Sequence, residues 1–257
     1  NDDFIVEDHP QFNKLIDEIE NSKVQYLFTM GKGGVGKTTV ATQLATALSN
    51  KGYRVLLATT DPTKEINVET TSNLNTAYID EEQALEKYKK EVLATVNDDT
   101  PQDDIDYIME DLKSPCTEEI AFFKAFSDIM ENQEDMDYVI VDTAPTGHTL
   151  LLLDSSENHH RELKKKSTQT TSNVETLLPK IQNKNLTQMI IVTLAEKTPY
   201  LESKRLVEDL NRANIGHNWW VVNQSLVTLN QRDDLFNNKK EDESFWINKI
   251  KNESLDN

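Results

Sequence analysis

The chain has 257 residues, 37% of them apolar and 28% charged, which suits one large domain or two small ones around a substantial core. A net charge of −18 supplies no basic stripe to neutralise phosphates, so it argues against a nucleic-acid binder and is read as a solubility feature. No apolar run approaches the roughly 20 residues of a membrane helix, the N-terminus is acidic and polar rather than signal-like, and the lone cysteine, Cys116, excludes an internal disulfide framework and fits a reducing compartment. The sequence does not open on Met and reads as a processed or partial chain.

Residues 1–10 read as a linker or tail. Phe12, Leu15, Ile16 and Ile19 then recur at helical spacing and predict a short amphipathic helix. Residues 24–30 are an apolar run that predicts a buried strand. Gly31-Lys32-Gly33-Gly34-Val35-Gly36-Lys37-Thr38 follows, and residues 39–50 carry a helical pattern. Strand, glycine-rich turn and helix in that order form a phosphate-binding loop. Its glycines let backbone N–H groups converge on a polyphosphate, and the helix N-terminus adds partial positive charge at the same point. Lys37 can reach the β and γ phosphates, and the Thr38 hydroxyl can ligate Mg²⁺.

Lys51-Gly52-Tyr53 stops that helix, and residues 55–59 predict a second buried strand that leads into Asp61-Pro62. Proline biases Asp61 away from the helical region, which places it at the strand's C-terminal edge. Open α/β sheets put their ligands at that edge. From residue 80 to about 133 no strand is evident. Helices are predicted at 81–92, 103–112 and 117–131, the last with Ile120, Phe123, Ala125, Phe126 and Ile129 on a broad apolar face. This reads as a helical insertion whose apolar face serves either the core or a partner groove.

Alternation of strand and helix then resumes. Residues 138–142 predict a strand ending in Asp142, and 147–153 a loop and helix. Residues 154–173 are polar and read as partly helical, with Lys164-Lys165-Lys166 a solvated face rather than a binding patch. Strands at 188–194 and 219–222 flank a helix at 200–213, and 233–257 is a charged helical tail. The expected fold is α/β: a doubly wound, mostly parallel sheet of the P-loop type with a helical insertion. Residues 1–22 form the linker and short helix, and 23–257 the P-loop nucleotide-binding domain with its insertion at about 80–133.

Three further residues sharpen the chemistry. Lys32 lies so near the phosphates that it repels Lys37 unless an anion is close. Asp142 closes an apolar strand beside the loop, where a Mg²⁺ shell or a switch loop is anchored. Asp61, at the matching end of the second strand, can orient an attacking water.

The loop Gly31-Lys32-Gly33-Gly34-Val35-Gly36-Lys37-Thr38-Thr39 resembles the deviant Walker A loop of a superclass of nucleotide-switching ATPases. Further stretches are similar to the arsenical pump-driving ATPases in particular: Thr59-Thr60-Asp61-Pro62, Ser114-Pro115-Cys116-Thr117, Asp142-Thr143-Ala144-Pro145-Thr146-Gly147-His148 and the run from Trp219 to Gln224. The likeness covers nearly the whole chain and is nearest the C-terminal of that family's two homologous halves.

The resemblance implies a nucleotide site built from Gly31, Gly33, Gly34, Val35, Gly36, Lys37, Thr38 and Thr39, with Asn223 on the adenine. It implies catalytic roles for Lys32, reaching across a dimer or pseudodimer interface, for Lys37, and for Asp61 on the hydrolytic water. Thr38 and Asp142 would serve Mg²⁺. Cys116, with His148 and Ser114, would bind As(III) or Sb(III), because a soft metalloid favours thiolate. The implied partners are a homologous N-terminal half or a second copy, and an arsenite permease at the inner face of the membrane. The implied activity is ATP hydrolysis that drives metalloid efflux from the cytoplasmic side. Alternatives are a tail-anchored-protein targeting ATPase, carrying an apolar helix on residues 103–131, and an isolated half that hydrolyses little until paired. An iron–sulfur reductase does not fit, since one Cys per chain cannot supply half of a symmetric four-thiolate cluster. The family's small residues and His after Asp61-Pro62 are replaced here by Thr63-Lys64-Glu65, and one chain cannot complete a three-thiol site.

Overall fold

The computed structural model describes residues 10–60, 73–97, 100–130, 135–143, 179–224 and 234–255. Asp61, Thr63-Lys64-Glu65, His148, the helix expected at 147–153 and the polar run at 154–173 lie outside them, as does the side chain of Cys116.

The strands are β1 Tyr26–Met30, β2 Val55–Thr59, β3 Leu74–Tyr78, β4 Tyr138–Val141, β5 Thr187–Leu194 and β6 Trp219–Asn223. They form one sheet in the order β3-β2-β4-β1-β5-β6, with every pair parallel. The helices are α1 Pro10–Ser22, α2 Lys37–Asn50, α3 Glu81–Leu93, α4 Gln102–Asp111, α5 Pro115–Met130, α6 Lys197–Arg212 and α7 Asp234–Leu255. The doubly wound parallel sheet and its helical excursion between β3 and β4 are the architecture the sequence predicts.

Parallel strands buried on both faces read as continuous apolar runs, and β1, β2 and β4 are buried at every residue. Their side chains alternate between two cores. Leu27, Leu57, Ile140 and Ile190 point to the layer of α1 and α2, where they meet Ile16, Ile19, Val40, Leu44 and Leu48. Phe28, Met30, Val139, Val141 and Ile191 point to the opposite layer, with Phe122, Phe123 and Phe126 from α5 and Val207 and Leu210 from α6. The Phe126 ring meets Phe28 edge-on, with centroids 5.1 Å apart at 72°. The apolar face of α5 is therefore committed to the core. Ion pairs tie α3 to α5, Lys87 to Asp128 at 2.8 Å and Lys124 to Glu91. In α1, Glu18 accepts a 3.1 Å bond from the Trp219 indole, which fastens the first helix to the edge strand β6.

The strand β3 is the element the sequence reading lacks. Its residues, Leu-Asn-Thr-Ala-Tyr, sit at the sheet edge and only Leu74 is buried. It has no apolar run because half of it faces away from either core.

Candidate nucleotide-binding site

The sheet order fixes the site. Both neighbours of β1 arrive by crossovers, β4 on one side and β5 on the other, so the C-terminal end of β1 lies at the switch point of the sheet. Open α/β sheets bind ligands in that crevice. The glycine loop leaves β1 there and enters α2 at Gly36, whose backbone is left-handed at φ 92°. No side chain caps α2 and its first turn has no acidic residue, so the N-terminal N–H groups and the helix dipole face the loop without a protein counter-charge on the helix itself.

Gly31 is required by close approach. A Cβ there would lie 2.1 Å from the Val192 carbonyl oxygen on β5, and its φ is 155°. Val35 is buried and belongs to the core beneath α2, so the loop is pinned from below. Lys37 folds back over the loop. Its ammonium donates to the carbonyls of Gly31 at 3.2 Å and Lys32 at 3.4 Å. Burial lowers the Lys37 pKa below the ordinary amine value, and the nearby Asp142 carboxylate works against that shift.

Asp142 stands at the end of β4, beside β1, and is 2% exposed. Its carboxylate accepts the Thr59 hydroxyl at 2.6 Å and the Thr60 N–H at 3.3 Å. Two strand ends are thus locked to one buried carboxylate, whose charge is felt at Lys37. Asn223, at the end of β6, donates its amide to the Val35 carbonyl at 3.0 Å. Thr38 and Thr39 occupy the first turn of α2. Lys32 is exposed and pairs with Glu202 of α6 at 3.3 Å.

This arrangement offers an uncapped helix N-terminus and one ammonium at the end of β1, with a buried carboxylate at the end of the neighbouring strand: groups suited to a polyphosphate and a divalent cation. A family model described as Anion-transporting ATPase matches residues 24–182 and 162–256. The chain belongs to this ATPase family. It is 39% identical over 246 residues to the Arsenical pump-driving ATPase of Acidiphilium multivorum, covering 94% of this chain and 42% of that protein. It is 38% identical over 248 residues to the protein of the same name from Escherichia coli, covering 95% of this chain and 42% of that one. The ATPase GET3 of Meyerozyma guilliermondii is 28% identical over 265 residues, covering 82% of this chain and 76% of the yeast protein. The chain spans about half the length of these two arsenical pump-driving relatives.

Within this family member, the structure brings together the loop residues, Lys37, Asp142 and Asn223. Ser114 sits just before α5, where its carbonyl accepts the Thr117 N–H at 2.9 Å; the metalloid partners expected for it, the Cys116 side chain and His148, lie outside the described residues. Among the described residues no group of three or more His, Cys, Asp or Glu side chains is arranged to hold a metal ion. No helix among them is long and apolar enough to cross a membrane.

Sequence reasoning missed Glu202 and Thr59 as neighbours of the site. Thr59 was legible as the polar end of an apolar strand; nothing in the sequence marks Glu202. It also missed an acidic cavity of about 350 Å³ beside Thr143, lined by Glu81, Glu82, Glu118 and Glu119 with Leu85 and Phe122. Partial burial, then the Asp142 and Glu118 charges, raise the Glu81 pKa above the usual carboxylate range. The sign follows from linkage: a carboxyl that holds its proton more tightly when folded costs stability once ionised, and the cost fades as pH falls through its folded pKa. Glu81→Gln is therefore expected to raise Tm at neutral pH by about 1–3 °C, a small gain because the group is partly solvated. Thermal melts should show the gain shrinking to nothing in acid; a gain of equal size at all pH values would contradict this account.

Proposed function

We propose that the chain is one nucleotide-binding half of an ATPase that drives arsenite or antimonite efflux through a membrane permease, with hydrolysis coupled to metalloid binding. The observation that carries the nucleotide part is the loop itself: Lys37 held by the Gly31 and Lys32 carbonyls next to the buried Asp142. Kinship with arsenical pump-driving ATPases supports the arsenical part.

Each residue then has a role. The loop N–H groups and Lys37 hold the triphosphate. The Thr38 hydroxyl, in the first turn of α2, and the Asp142 carboxylate, at the end of β4, are hard oxygen donors, which suits Mg²⁺. Bound there, Mg²⁺ would neutralise charge on the β and γ phosphate oxygens. Asp61 orients the water. Lys32 exchanges its Glu202 partner for a phosphate across an interface with a homologous half or a second copy. The metalloid binds Cys116, together with His148, Ser114 and thiols of the other half, because one chain holds a single Cys. The segment from Asp142 to His148 links the two sites, so metalloid and nucleotide affect each other's affinity.

The test is ATP turnover by the paired protein with and without antimonite, for wild type and Cys116→Ala. Stimulation in the wild type that disappears in the variant is expected. Equal stimulation in both would remove Cys116 from the metalloid site.

A second reading, a carrier of tail-anchored apolar helices, is favoured by α4. That helix buries no residue and exposes Tyr107 and Met109, 69% and 43% accessible. Copurification of an apolar C-terminal helix, with turnover indifferent to antimonite, would select it.

A further inference from the structure

The structure assigns Asn223 a second role, that of a positioning residue for the phosphate loop, which it holds in shape through the Val35 carbonyl. This rests on the nucleotide-binding reading above and adds to it a mechanical link between the base end and the phosphate end of the site.

The loop leaves β1 and leans sideways over the ends of two strands. At Gly31 it touches β5, where a Cβ would meet the Val192 oxygen at 2.1 Å. Farther on it touches β6, where Asn223 donates to the Val35 oxygen at 3.0 Å. A Cβ on Gly36 would lie 2.2 Å from that same Asn223 amide nitrogen. Gly36 is therefore needed twice, once for its φ of 92° and once to let Asn223 in. A strand-end side chain that merely awaited a base would not need a glycine opposite it.

The bond also has a direction. A carbonyl only accepts, so the NH₂ group of Asn223 must face Val35. The peptide between Val35 and Gly36 is trans, as no cis bond occurs among the described residues. In a planar trans peptide the C=O and N–H point opposite ways. Holding the Val35 carbonyl toward β6 thus sends the Gly36 N–H away from β6, fixed rather than free to turn. That N–H sits at the N-cap of α2, where donors for a phosphate are gathered. An amide has a second N–H and a carbonyl oxygen with which to meet an adenine edge, so one side chain can serve both ends. Gln224, next along, is left-handed at φ 54°, which ends β6 and leaves Asn223 at its tip.

Inorganic tripolyphosphate separates the two roles, because it has phosphates and no base. Calorimetry of the 257-residue chain with Mg²⁺ would compare tripolyphosphate and ATP for wild type, Asn223→Ala and Asn223→Asp. Asn223→Asp keeps the size but sets an acceptor against the Val35 oxygen and adds a charge that by itself repels a polyphosphate, so the uncharged Asn223→Ala decides the outcome. Binding is read well below each variant's Tm, since a merely structural role would lower Tm and leave affinity alone. Both variants are expected to weaken tripolyphosphate by roughly 3–10-fold, the worth of one hydrogen bond, and ATP by more. Unchanged tripolyphosphate affinity with weakened ATP would overturn the positioning role and leave Asn223 a base reader. A wild type that binds neither ligand would overturn the nucleotide reading itself.

Discussion

Lys37→Met is expected to abolish turnover, by roughly 10³-fold or more, while the protein stays folded. The Lys37 ammonium is half-buried and satisfied by two loop carbonyls, Gly31 and Lys32. Those bonds hold the charge over the cradle, so little reorganisation is needed when a triphosphate arrives. Methionine keeps the stem's apolar volume and removes the charge. The stability effect has a definite sign. Burial lowers the pKa of Lys37, so the folded state binds its proton less readily than the unfolded chain does. A charged Lys37 therefore costs stability below its folded pKa, and the cost is relieved as pH rises through that value toward the ordinary amine range. Removing the amine sacrifices two modest hydrogen bonds and removes that cost, so Tm should move little at neutral pH. Steady-state hydrolysis by the paired protein and a thermal melt of the same preparation check both halves. Turnover within tenfold of wild type would mean that the charge over the loop is not what stabilises the reacting phosphate.

The contrast between a legible site and an illegible neighbourhood has a physical basis. The loop was readable because its chemistry is local: glycines, a lysine and a helix start lie within one short stretch. Asp142 was readable because a carboxylate closing an apolar strand of a parallel sheet stands at the edge where such sheets bind ligands. The central strands were readable for the same reason, since burial on both faces leaves only apolar choices. Edge strand β3 has one half-wet face and carries Asn75 and Thr76, so no pattern announces it. The pairing of Lys32 with Glu202 and the bond from Asn223 to Val35 join residues far apart in sequence. No periodicity encodes such contacts; the strand order β1-β5-β6 does. The apolar face of residues 117–131 could belong to a core or a groove, and only packing against Phe28 assigns it.

Gly31→Ala should destabilise the protein by more than about 3 kcal/mol, near the top of the range for single substitutions. Two costs coincide. The backbone at φ 155° is one that side-chain-bearing residues rarely adopt, and the added Cβ meets the Val192 carbonyl oxygen at 2.1 Å with Val35 Cγ2 at 3.1 Å. The first obstacle is backbone, not a side chain that can swing aside. It belongs to β5, which pairs with β1 up to Met30 opposite Ile191. Relief requires β1 and β5 to part next to the loop, where Met30 and Ile191 are buried on the sheet's central ladder. A loss of this size corresponds to a Tm drop of roughly 6–12 °C for a domain this large. The neighbouring glycines supply the control. At Gly33 a Cβ would meet nothing within 4 Å, so Gly33→Ala should stay within about 0.5 kcal/mol of wild type. Gly34 also has open space but a φ of 84°, so its alanine variant should fall between, at about 1 kcal/mol. Urea titrations of the three variants would rank them. An equal loss at Gly31 and Gly33 would show that the loop's tolerance is set by something other than the approach of β5.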